Sequence, residues 1–63
     1  MKAKEVKEAL LKGTSFSNEK AGWYTLVNTD KKVYWIVIKG RNLFCKNLDS
    51  CSRRITQLIN KGY

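Results

Sequence analysis

Arg53 and Arg54 are the first residues to weigh for chemistry. They stand side by side within residues 31–63, a stretch with eight lysines and arginines against Asp49 alone, a net of +7. Residues 1–30 set five lysines against Glu5, Glu8, Glu19 and Asp30, a net of +1. Cations that outnumber their carboxylates attract an external anion: nucleic acid, an anionic membrane or an acidic protein. Aromatic rings supply a second chemistry. Trp23, Trp35 and Phe44 fall in apolar stretches that also hold Lys39 and Lys46. Rings stack on nucleobases for about 1–3 kcal/mol per base while cations follow the phosphates.

Catalytic equipment is missing. The sequence has no histidine, which removes the commonest general base and the commonest metal ligand. Cys45 and Cys51 are the two cysteines, too few to complete a four-ligand zinc site. A position early in a helix beside Arg54 would lower a thiol pKa, but both cysteines fit core positions. The five acids are scattered, and no glycine-rich phosphate loop is present. With 63 residues, a core supplies only ~3–5 kcal/mol of net stability, which leaves no room for a deep cavity. The expectation is a protein that is not an enzyme and needs no metal or cofactor. Charges at Lys4, Glu5, Lys7 and Glu8 break the first apolar stretch, unlike a signal peptide. The longest apolar run, Val33 to Ile38, is too short for a bilayer. A cytoplasmic location without a membrane partner is expected.

The elements that must position these residues follow from periodicity. Ala3, Val6 and Leu10 share a helical stripe within residues 2–12, and Gly13 stops it. Residues 13–22 are small and polar apart from Phe16, so they read as a loop anchored by that ring. Residues 23–28, 32–39 and 42–46 are rich in Trp, Tyr, Val, Ile and Phe and read as strands. A second helix over 50–61, capped by Asp49 or Ser50, has an apolar stripe of Cys51, Ile55, Leu58 and Ile59. Residues 1–63 are therefore expected to form one small basic domain of the α+β class. Its architecture is a three-stranded antiparallel meander with an N-terminal and a C-terminal helix (α-β-β-β-α), both helices on one face.

Strand alternation then distributes the side chains. If Gly40 and Arg41 form the second hairpin's loop, Ile38 pairs with Leu43 and Val37 with Phe44. If Asn28 pairs with Lys32 across the first turn, Tyr24, Leu26, Tyr34, Ile36, Ile38, Leu43 and Cys45 share the core face. Trp23, Trp35, Val37, Lys39, Phe44 and Lys46 then share the opposite face, which no helix is left to cover. An exposed apolar patch of that size marks a partner surface. The stacking or partner residues expected there are Trp23, Trp35 and Phe44.

Arg53 and Arg54 would lie in the first turn of the second helix, where the helix dipole disfavours cations and free N–H groups favour an anion. Gln57 and Lys61 extend the same polar face. With Lys31, Lys32, Lys39, Arg41 and Lys46 these residues make up the expected nucleic-acid-binding set, for DNA or RNA. About four neutralised phosphates would make affinity fall roughly a hundredfold between 50 and 200 mM salt. The alternative is a protein–protein interaction regulator or inhibitor, of the kind phages and mobile elements carry. It would dock its sheet face or basic helix on an acidic host protein. The sheet face also suits a homodimer.

The α-β-β-β-α order, with Arg53 and Arg54 opening the last helix, resembles the double-stranded RNA-binding domain. That resemblance implies phosphate contacts from the two arginines. Asn28-Thr29-Asp30-Lys31 stands where that family has a Gly-Pro-x-His type loop, and the basic cluster is shorter. Residues 22–59, with Lys32 to Trp35, also resemble the DNA-binding domains of phage integrases, which imply a sheet placed in the major groove.

Overall fold

Val6 and Leu10 stand four residues apart, so one side of a helix is apolar while Lys4, Glu5 and Glu8 stay in water. In the computed structural model, which describes residues 2–63, this helix is α1, Ala3–Leu11. It ends where Gly13 takes a φ of +90°. The N–H of Thr14 donates to the Ala9 carbonyl at 2.9 Å and that of Gly13 to Leu10 at 3.1 Å, the closure expected when glycine follows a helix. Helix α2 spans Leu48–Asn60. Asn47 caps it, its side-chain oxygen accepting from the Ser50 N–H at 2.8 Å. The helix thus opens two residues earlier than expected and is capped by neither Asp49 nor Ser50.

Four strands lie between the helices, one more than the sequence suggested. Strands β1 (Ser17–Asn18), β2 (Trp23–Asn28), β3 (Val33–Ile38) and β4 (Arg41–Phe44) form an antiparallel sheet in chain order. The added strand comes from the expected loop, and Thr25 holds it there. The Thr25 hydroxyl donates to the Phe16 carbonyl at 3.1 Å and accepts from the Phe16 N–H at 3.0 Å. Phe16 packs against the core, as an anchor should.

Both hairpin registers differ from expectation. Lys39 and Gly40 have φ of 49° and 81°, the two left-handed residues that a two-residue hairpin turn matching strand twist demands. They are the loop, so Ile38 faces Arg41 and Ile36 faces Leu43. The slip is two residues and keeps each side chain on its face. In the first hairpin the loop is Thr29–Lys32, with Lys32 at a φ of 55° and the Asn28 side chain accepting from the Lys31 N–H at 3.1 Å. Asn28 therefore faces Val33 instead of Lys32. That slip is one residue, and it turns all of β2 over.

The core lies between the two helices and one face of the sheet. Val6 and Leu10 of α1 and Cys51 and Ile55 of α2 meet Trp23, Ile36 and Cys45. Both helices therefore cover the same face. Ile36, at the centre of the sheet, is wholly buried, worth about 1.5–3 kcal/mol of hydrophobic stabilisation. Ser52 is buried too, its hydroxyl donating to the Leu48 carbonyl at 2.8 Å. No described helix is long and apolar enough to cross a membrane.

Candidate nucleic-acid interface

Turning β2 over exchanges the expected faces. Trp23 is 3% exposed and belongs to the core, not to the partner face. Thr25 is buried beside it and Val27 packs on the same cluster. Tyr24 and Leu26, expected in the core, instead stand 47% and 53% exposed on the uncovered face. The sequence offered no signal for these two, because both parities of β2 carry large apolar residues.

The uncovered face is built in cross-strand rows. Leu26, Trp35 and Phe44 are register partners across β2, β3 and β4; Tyr24, Val37 and Asn42 form the next row. Trp35 and Phe44 meet edge to face, ring centroids 5.2 Å apart at 65°. This arrangement adds about 0.5–1.5 kcal/mol beyond area burial. Phe44 nevertheless stays 64% exposed on the outermost strand. Trp35 is half-buried in the middle of the row.

Cations bracket those rows. Lys31 and Lys32 occupy the β2–β3 turn. Lys46 lies at the same end, one residue beyond Cys45, whose N–H donates to the Tyr34 carbonyl at 2.8 Å. At the other end stand Lys39 and Arg41, with the Lys39 N–H donating to the Gly22 carbonyl at 2.8 Å. Lys39 belongs to this turn and not to the strand face where it was expected. All five cations are exposed. Among the described residues Lys32 and Lys39 are the two non-glycine ones with positive φ, and they flank β3, the strand of Trp35. A left-handed backbone costs an ordinary L-residue roughly 1–2 kcal/mol.

The remaining predicted residues lie elsewhere. Arg53, Arg54, Gln57 and Lys61 are exposed on α2, on the layer behind the sheet. They share no surface with Trp35 and Phe44. Because α2 opens at Leu48, the arginines sit in its second turn, not its first. The first turn holds Asp49, whose carboxylate pairs with Lys7 of α1 at 2.6 Å. That Lys7 hydrogen bond and charge, with Arg53 adding to them, hold the Asp49 carboxyl below its ordinary value. A carboxylate already occupies the place where a phosphate was expected.

Cys51 does not have the character of a nucleophile. Burial, and then the nearby Cys45 sulfur, push Cys51 up to about 12. Its early position in α2 and the neighbouring Arg54 do not lower it, because desolvation penalises the thiolate more. Among the described residues no group of three or more His, Cys, Asp or Glu is placed to hold a metal ion.

Comparison with protein-family models, with curated proteins and with solved structures gives no match.

Proposed function

We propose that the chain is a non-enzymatic nucleic-acid-binding module that takes a single strand of DNA or RNA across its uncovered sheet face. One observation carries the proposal: an exposed aromatic row is bracketed at both ends by lysines held in a costly left-handed backbone. Both lysines sit in hairpin turns, which fix them at the two ends of the face. In this reading Trp35 and Phe44 stack on bases, with Tyr24 beside them, while Lys31, Lys32 and Lys46 at one end and Lys39 at the other bind phosphates; Arg41, paired with Ile38, lies on the opposite face of the sheet. Charge argues for an anion over a second copy, since two molecules at +8 each repel.

Leu26, more than half exposed in the central row, favours a second reading in which the same face docks a protein. Salt separates the two. Fluorescence anisotropy of a labelled single strand should show affinity falling roughly fiftyfold between 50 and 200 mM salt, with about four phosphates neutralised. A duplex should bind more weakly, having no free ring faces to stack. Phe44→Ala should cost about tenfold in affinity. Failure of DNA, RNA and duplex probes alike to bind at the lower salt would overturn the proposal. A protein partner lost on Trp35→Ala, but insensitive to salt, would establish the second reading.

A further inference from the structure

Resting on the nucleic-acid reading, we infer that the helix layer carries a second, separate phosphate-binding surface, so that one molecule bridges two nucleic-acid segments on its opposite sides. At about 100° per residue, Ser50, Arg53, Arg54, Gln57 and Lys61 fall within one arc of about 100° on α2. All five are exposed. Arg53 and Lys61 are eight residues apart, so the stripe runs along about 12 Å of helix axis.

A groove of about 290 Å³ between the helices continues this stripe on to α1. Ala3, Lys4, Lys7, Asp49, Ser52 and Arg53 line it. Its one carboxylate, Asp49, is held by Lys7, which leaves Lys4 and Arg53 as its uncompensated charges. No acid of α1 lines it. On the same helical count Glu5 lies about 100° and Glu8 about 40° beyond the edge of the groove-lining arc of α1. Among the described residues, Lys7–Asp49 is the one ion pair within 4 Å. The cations of this layer therefore stand ready for an outside anion. Tyr63, just past Lys61, puts an exposed ring at one end of the stripe, while no ring lines the groove, so the groove suits phosphates without base stacking and differs in kind from the sheet face. The backbone extends 29 Å along its longest principal axis and 17 Å along its shortest, so segments held on the two layers lie close together.

The test uses the intact chain with two short single strands, one carrying a donor dye and one an acceptor. Wild type at low salt should give energy transfer, saturating at one protein per two strands. The charge reversal Arg53→Glu/Arg54→Glu should abolish that transfer. Anisotropy of the donor strand alone should stay within roughly threefold of wild type, because the sheet face is untouched. Circular dichroism checks the fold, and Arg53→Gln/Arg54→Gln replaces the charge reversal if it misfolds. Anisotropy binding without transfer in wild type would overturn the inference and leave the parent reading standing. Transfer that survives both arginine variants would overturn it as well. Loss of all anisotropy signal in wild type would remove the parent reading itself.

Discussion

At the scale of single residues, two aromatic side chains do different physical work. Trp23 is a core residue whose indole N–H is buried without a hydrogen-bond partner among the described residues. An unmet donor costs about 1–3 kcal/mol, so the ring's packing must outweigh it. Removing the ring should cost ~3–5 kcal/mol, about all that a domain of this size has to spare. Trp23→Ala is therefore expected to be unfolded in urea titrations, whereas Phe44→Ala, with an exposed ring, should keep its midpoint almost unchanged. Equal midpoints for the two variants would contradict these placements. Composition identified both rings as important but could not tell a ring that fills a core from one that faces outward.

At the scale of elements, the hairpin loops decide which side chains meet a partner. The alternation in β3 was legible from Tyr34, Ile36 and Ile38 against Trp35 and Val37, and the structure keeps it. In β2, Trp23, Thr25 and Val27 compete with Tyr24 and Leu26 as core formers, so only the loop length settles the parity. That length depends on Lys32 adopting a left-handed backbone, which a lysine gives no local reason to expect. In the structure the Asn28 side chain fixes this loop by accepting from the Lys31 N–H. The helix start was missed for a similar reason: Asn47 caps as well as the Asp49 and Ser50 that follow it. Asparagine tolerates left-handed angles better than lysine. Lys32→Asn and Lys39→Asn should each raise Tm by several degrees and weaken oligonucleotide binding. A variant that gains stability without losing affinity would show that its lysine plays no part at the interface.

At the scale of the whole molecule, charge along the chain and charge in space are different quantities. The C-terminal half is basic in sequence, yet its cations divide between the sheet ends and the helix layer. Sequence order alone therefore suggested a single binding set, whereas the fold places its members on separate surfaces. The two helices of that layer are tied by Lys7 and Asp49, both partly in water, so screening keeps the pair's contribution small. Its pH dependence follows from the lowered Asp49 pKa. The folded form gains from the charged carboxylate above the ordinary value of 3.8 and loses that gain as pH falls through the lower folded value. Thermal melts of Asp49→Asn should thus lie slightly below wild type near neutral pH and coincide with it in strong acid. A gap that persists in acid would assign the effect to something other than the ion pair. The two buried thiols have a practical consequence of their own. Cys45 and Cys51 are hidden from solvent, and Cys51 holds its proton far into alkali. A cysteine introduced at an exposed site such as Gln57 would take a maleimide dye alone, while delayed labelling of the native pair would time how often the core comes apart.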